Sequence, residues 1–507
     1  MVQDFKEFVK RRPSYVICMV IILVAAFGYE ITNFTLSNDE ELYINTSRDV
    51  LFWLQDGRFG FTLFNSLFLK FGMFGPFQAT FISTILLFIA STGMCINYEM
   101  LNKGRNVSDF SLIIFSSIFC TVPFVVAEFM IYNTVNIQFS LAIILISISM
   151  YQIIKLKDNK SDYLRWVFAI LSTYFAFSFY QGFISLFITS ASFYILCELI
   201  HSKENIKIKR YLSISIPYII VMFISFILYE ITNKIISLFV VQRSYLQQML
   251  TDEGILKATK SIVIRFLTCN DDYGMNLLRF TVISGSILLI ILMIQNYKNI
   301  VWYIITYATF VISPFIIFVV LGTSLIQFRS LTGICMLFGG VWLLITEFVV
   351  CNKFNLKIKK ITINPIKVIC VIPIIMMLYQ VQIINNMFYS DNVRYEEDTR
   401  IIENILGEIE KIDSDYLNKT IVFSGYYKLP DSPAISRVQV IGMSIFEWEG
   451  GNNARIIPFI NSKGFKFPLP TEEDLVTANE VAQNMPSWPS SGSIVEHDNL
   501  IIVNLKH

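Results

Sequence analysis

Residues 162–200 read DYLRWVFAILSTYFAFSFYQGFISLFITSASFYILCELI. Whether they form one helix or two decides on which side of a membrane the rest of the chain emerges. As one helix they would run about 58 Å at ~1.5 Å per residue, twice the ~30 Å of a hydrocarbon core. Two helices, 162–179 and 183–200, joined by a tight turn at Tyr180-Gln181-Gly182, fit a bilayer. Outward from this pair, apolar runs recur near 15–32, 77–97, 110–126, 137–154, 211–231, 280–296, 300–321, 334–350 and 368–386. The expectation is an α-helical polytopic membrane protein with eleven transmembrane helices.

Composition agrees. Of 507 residues, 54% are hydrophobic and 16% charged, against ~25% charged in an average soluble domain, and the mean hydropathy is +0.57. The first apolar run follows the basic segment Lys6–Pro13 without a small-x-small cleavage site, so a retained helix is expected, not a cleaved signal peptide. With the N-terminus inside, the stretches 1–14, 98–109, 155–165, 201–210, 297–299 and 351–367 face the cytoplasm and hold 20 of the 30 Lys and Arg before residue 388. Eleven crossings then leave the C-terminus outside, which for a bacterial inner (cytoplasmic) membrane means the periplasm.

Two domains are expected: a transmembrane domain over 1–387, with outer loops 33–76 and 232–279, and an outer domain over 388–507. This tail holds 10 Lys and Arg against 18 Asp and Glu, a net −8. Helical patterning over 393–412, strand patterning at 420–423 and 500–505 and prolines between 458 and 489 point to a small α/β fold. The stretches 49–70 and 235–250 are amphipathic and suited to the interface with membrane lipid. No inverted repeat of the transporter kind is evident.

Several chemistries lack their residues. Eight cysteines form no CxxC pair and lie mostly in apolar runs, and three histidines (201, 497, 507) leave neither a metal set nor a catalytic triad. No basic, aromatic-interleaved patch speaks for nucleic acid. The pair Asp271-Asp272 has no third metal ligand. No metal and no cofactor are expected.

The strongest constellation is Ser37-Asn38-Asp39-Glu40-Glu41, just past the first span. Three consecutive acids there are either a solvated helix end or a site, since a carboxylate near hydrocarbon needs water or a partner. Arg48-Asp49, Trp53 and Asp56-Gly57-Arg58 share the same loop. An acid can serve as base, an arginine can hold a phosphate, and a tryptophan can stack on a sugar. Arg58 as a snorkelling interfacial charge is the alternative.

These residues, in this order after a short basic N-terminus and one span, resemble the serotype-converting O-antigen glucosyltransferases of phages and genomic islands (Gtr type II-like). Those enzymes are themselves similar to the GT-C superfamily of polyprenyl-phosphate-sugar-dependent glycosyltransferases. Further points of likeness are Tyr180-Gln181 between two spans, Arg329 in a short outer loop, Tyr395-Glu396-Glu397-Asp398, and the run 485–493, MPSWPSSGS. The resemblance covers most of the chain through short motifs. It implies a GT-C-like fold, an undecaprenyl-phosphate-linked sugar donor and an O-antigen (lipopolysaccharide) repeat unit as acceptor. It also implies that an acid of the first outer loop, Asp39 or Glu40, is essential. A donor-lipid flippase and a donor synthase follow as pathway partners through the likeness alone.

The residue inventory suits that chemistry independently. A glycosidase needs two carboxylates, one protonating a poor leaving group. A polyprenyl phosphate already leaves well, so one base and cations for the departing phosphate suffice, with no nucleotide-binding glycine loop. Arg58 and Arg329 are the candidate phosphate ligands. Glu41, Trp53, Asp56, Glu128, Tyr180, Gln181, Arg243 and Arg265 are accessory candidates. Each has a plainer reading: Glu128 as an interfacial acid, Arg329 paired to a loop acid, Arg243 and Arg265 on solvated faces. The tail aromatics Tyr426, Tyr427, Trp448 and Trp488 suit either a glycan surface or a core. An O-antigen polymerase would carry its charges on a central loop with both termini inside. A polysaccharide or lipid transporter would bury ionisable groups mid-span, whereas Glu198 and Glu347 lie near span ends.

Overall fold

The computed structural model describes all residues except 46–49, 69–74, 103–105, 158–160, 203–204, 242–256, 258–259, 261–263, 265–273, 322–326, 353–355, 359–360, 364, 434, 438–439 and 506–507. Each of the eleven apolar runs is helical. The 162–200 stretch divides as expected, into Tyr163–Phe179 and Phe183–His201. Asp162 caps the first of these by accepting from the Arg165 amide at 3.3 Å. The turn needs Gly182, because a Cβ there would lie 2.5 Å from the Tyr180 ring.

Among the described residues nine helices are long and apolar enough to cross a membrane, and ten if one bent pair counts as a single span. That is fewer than the eleven expected, for two physical reasons. The Tyr163–Phe179 helix is apolar but only 17 residues long. The run at 110–126 is broken by 47° between Asp109–Cys120 and Pro123–Met130, where Pro123 opens a π-helical turn, Pro123–Ala127. The last span also departs from expectation. Pro365–Ile412 is one helix of 48 residues, so 393–412 is its continuation and not a separate element. No proline or glycine stands between Pro373 and Gly407 to stop it.

The chain divides into two compact units. The first comprises Met1–Ile31, Val50–Met130 and Val135–Asn385. Its helices approach through small residues and hydroxyls, as apolar surfaces must where lipid gives no hydrophobic drive. A Cβ on Gly340 would lie 2.7 Å from the Phe193 ring, and Ser83 meets Ser140 and Ser149 meets Thr173 at 2.7 Å each. The charges at the lysine-rich ends are paired: Arg11 and Arg12 with Glu99, Arg12 with Asp109, and Lys157 with Glu198. A two-stranded hairpin, β1 (Leu356–Ile358) with β2 (Ile361–Ile363), belongs to this unit.

The second unit comprises Thr32–Asp49, Ile131–Thr134 and Asn386–His507, so the start of the first outer loop groups with the tail. Its sheet runs β3 (Thr420–Ser424), β5 (Leu500–Asn504), β4 (Ile494–His497). β3 is parallel to β5 and β4 antiparallel to it. Every residue of the central β5 is buried, as both faces of a covered strand must be. The Glu472–Ala482 helix, opened by a Thr471/Asp474 capping box, packs Ala478 and Ala482 on Val422, Leu500 and Ile502. Trp488 is buried and meets Tyr427 edge-on at 5.2 Å, whereas Tyr426 is exposed.

Arg394 has no exposed surface. It is balanced by Asp391 at 2.9 Å and Asp398 at 3.4 Å, on its own helix. Arg394→Met would strand two buried carboxylates, and is expected to destabilise the second unit by about 3–5 kcal/mol. Limited proteolysis of the detergent-solubilised protein reads this as earlier cleavage within 388–507. Adding Asp391→Asn and Asp398→Asn to the same chain restores most of the resistance.

Candidate functional site

The acid loop lies in the second unit and is organised by a turn. The Glu40 amide donates to Ser37 O at 3.0 Å, and Asp39 takes the left-handed conformation at φ 89°, which Asp tolerates better than most residues. Asn38 donates to Met443 O at 2.9 Å. The Ser37 hydroxyl lies 2.8 Å from an Asp391 carboxylate oxygen, and Leu36 O accepts from Arg394 at 2.8 Å. Both flanks of the turn are thus tied into the second unit.

The three adjacent acids have three different surroundings. Glu40 is 1% exposed, and its carboxylate accepts backbone amides from Thr134 at 3.0 Å and Ser37 at 3.3 Å. Burial pushes its pKa up to about 8, with those two amides opposing the rise. Glu41 is also buried, and burial pushes it up to about 7 against the pull of Arg455. The Asp39 side chain is 40% exposed. Of the three it is the one with substantial access to solvent.

Arg455 joins them. Its Nη2 lies 2.9 Å from Asp39 Oδ1 and 2.8 Å from Glu449 Oε1, and its Nη1 lies 3.2 Å from Glu41 Oε1. Burial opposes its charge, but the surrounding carboxylates more than offset that and raise its pKa. Sequence reading missed Arg455, because an isolated arginine in an acidic tail looks like solvated surface.

Arg58, Arg329 and most accessory candidates lie in the first unit, where they meet. The Arg58 guanidinium carbon sits 5.6 Å from the Trp53 ring centroid and 5.1 Å from that of Tyr180, both within cation–π range. Asp56 is 3.8 Å from Arg58 Nη1. The buried Arg58 Nε has no hydrogen-bond partner among the described residues. Gln181 Nε2 donates to Asp56 O at 2.9 Å and to the Tyr229 hydroxyl at 2.7 Å. That hydroxyl donates in turn to Gly57 O at 3.1 Å. Gly57 has φ +70°, and a Cβ there would come 3.0 Å from the same hydroxyl. The Trp53 ring is stacked on Phe61 at 4.8 Å.

The Tyr180 hydroxyl is 2.5 Å from Ser330 Oγ, beside Arg329. Buried Glu128 accepts both the Arg329 amide at 3.1 Å and its Nη1 at 3.2 Å. The pairing of Arg329 with an acid is therefore present, and Glu128 is buried. Arg48-Asp49, Arg243, Arg265 and Asp271-Asp272 lie outside the described residues. Among the described residues no group of three His, Cys, Asp or Glu is arranged to hold a metal ion.

The molecule thus carries two charged sets: a carboxylate turn with its arginine in one unit, and an aromatic-lined arginine with a Glu128–Arg329 pair in the other. No curated protein and no solved structure matches the chain. The family described as glucosyl transferase GtrII matches residues 28–340, more than half of the 507 residues. That match takes in Asp39, Arg58, Tyr180 and Arg329 together, and the chain is a member of the glucosyl transferase GtrII family.

Proposed function

We propose that this glucosyltransferase works at the periplasmic face of the bacterial inner membrane. It moves a glucosyl residue from undecaprenyl-phosphate glucose to a hydroxyl of an O-antigen repeat unit. The base is Asp39. What carries this choice is its exposure: Glu40 spends its carboxylate on two backbone amides and Glu41 is buried on Arg455, whereas Asp39 keeps a two-fifths exposed side chain in a fixed turn. Glu40 shapes the loop.

In the step proposed, Asp39 takes the proton of the acceptor hydroxyl as that oxygen bonds to the anomeric carbon. The bond from that carbon to the phosphate oxygen breaks, and its electron pair leaves with the polyprenyl phosphate. One displacement inverts the anomeric centre. Arg58 and Arg329 receive the phosphate charge; the Nε of Arg58, without a partner among the described residues, supports this, since a buried N–H without an acceptor is costly unless a ligand supplies one. A phosphate leaving group needs no proton donor and, on this reading, no metal.

For the membrane topology the reading is eleven crossings, with Tyr163–Phe179 and the bent Asp109–Met130 segment each counted as one, and a GT-C-like arrangement. The N-terminus is then cytoplasmic and the tail periplasmic. Alkaline phosphatase fused after the last residue is expected to be active and green fluorescent protein at the same place dark. The reverse pattern removes one crossing from the count.

The mass of the O-antigen repeat, in a host making the lipid-linked donor, tests the activity. Wild type adds one hexose per repeat. Asp39→Asn at equal membrane abundance lowers the transfer rate by roughly 10²–10⁴-fold, the range for loss of a general base. Glu40→Gln retains measurable transfer at reduced abundance, since an amide can satisfy only one of the two N–H donors. Asp39→Asn transferring at the wild-type rate rejects Asp39 as base. An unchanged repeat mass with altered chain lengths points to polymerisation instead.

A further inference from the structure

The folding of the C-terminal segment bears directly on the acid loop, with which it forms one unit. The side chain of Asn453 clamps β3 at one residue, accepting from the Phe423 amide at 2.8 Å and donating to Phe423 O at 2.7 Å. That clamp sets the start of the Asn453–Asn461 helix, whose Asn452 cap accepts from the Ala454 amide at 2.9 Å. Arg455 is therefore held on the first turn of a helix that is pinned to the sheet. From there it reaches Asp39, Glu41 and Glu449 at once.

The third of these acids sits on a backbone shaped for it. Glu449 has φ 51°, and Gly450 and Gly451 follow at 73° and 78°. A Cβ on Gly451 would lie 2.1 Å from Gly425 O. A non-glycine residue in the left-handed region costs of order 1–3 kcal/mol and persists where the surroundings require it. Here it delivers Glu449 bidentately to Arg455, through Nε at 3.1 Å and Nη2 at 2.8 Å. Glu449 orients the fork, and the fork's remaining donors face the acid loop.

We propose that Arg455 is a positioning residue for glucosyl transfer, supplied by the C-terminal segment, which orients the Asp39 carboxylate. The assignment rests on Asp39 being the base. Burial pushes the Glu40 and Glu41 carboxyls up, and the Arg455 guanidinium, which touches Asp39, Glu41 and Glu449, pulls Glu41 and Glu449 down. With Oδ1 engaged by Arg455, Oδ2 is the oxygen turned to the acceptor hydroxyl. Lysine cannot replace the fork, because a single ammonium does not span three carboxylates in a fixed plane.

The test measures initial rates of glucosyl transfer against pH, with wild type, Arg455→Gln and Arg455→Lys in detergent or membranes, using the lipid-linked donor and the isolated repeat unit. Arg455→Gln is expected to lose about tenfold or more in rate near neutral pH and to move the acidic limb of the profile upward by about one pH unit. The sign follows from removing a cation: Glu41, which burial pushes up to about 7 against the pull of Arg455, then holds its proton to higher pH, so its charged form appears only at higher pH. Arg455→Lys is expected to keep the limb within about half a unit of wild type while the maximal rate falls about tenfold, with the donor KM within about twofold. A loss equal at every pH in both variants, or no loss, overturns the assignment. If Arg455→Gln does not fold, the Lys variant decides alone: a wild-type maximal rate overturns the proposal. Should wild type transfer no hexose, the reading of the function falls and takes this with it. Should wild type transfer normally while both variants match it, only the role of Arg455 falls.

Discussion

A guanidinium without exposed surface must find its counter-charges inside the protein, and Arg394 finds them on its own helix, three residues before it and four after. The rest of the second unit is arranged around that triad. Arg394 also takes Leu36 O, Asp391 meets the Ser37 hydroxyl, and Asp398 accepts the Ser444 hydroxyl and the Ile445 amide. One cation and two anions thus tether the acid loop and the segment after Met443, which in turn receives Asn38. Against apolar replacement such a triad adds little net stability. What it supplies is register: every partner has one place to be, so the turn carrying Asp39 is built on fixed backbone.

Much of this was legible in the chain. The apolar runs are helical where periodicity and length place them, and the break at Tyr180-Gln181-Gly182 is where a bilayer's thickness demands one. Acids and arginine in the first loop, Tyr180-Gln181 and Arg329 also stood out, because charges and amides beside long apolar runs are conspicuous. The hairpin β1–β2 is not legible in the sequence, because LKI and ITI are only three residues each and the lysines around them read as a charged turn between spans. The strand Ile494–His497 was too short to be seen.

What sequence reading did not yield is the pairing of distant charges. Arg455 meets Glu41 across 414 positions, and Ser37 meets Asp391 across 354. No local pattern encodes such a pair: an Arg at the start of a short amphipathic helix reads the same whether it faces water or a carboxylate cluster. Nor can three consecutive acids be told apart by composition. Their different fates come from the turn, which sends Glu40 to the Ser37 and Thr134 amides, Glu41 to Arg455 and Asp39 to the surface. Burial then acts on each differently, and adjacency stops meaning equivalence.

Arg394 and Arg455 of the second unit and Arg58 of the first show how exposure sorts one side chain into different surroundings. Arg394 has all three of its nitrogens engaged by Asp391, Asp398 and Leu36 O and no exposed surface. Arg455 is paired too, but two of its carboxylates, Asp39 and Glu449, are about two-fifths exposed, so its hold reaches the solvent side. Arg58 is different again. Aromatic rings at 5.1 and 5.6 Å orient its plane without consuming donors, Asp56 is no closer than 3.8 Å, and Nε is left over. A cation held by ring faces keeps its N–H edge for an oxyanion, whereas one held by carboxylates does not. Arg58, oriented by ring faces, keeps an N–H edge that an oxyanion can meet, whereas the Arg455 fork is committed to holding carboxylates.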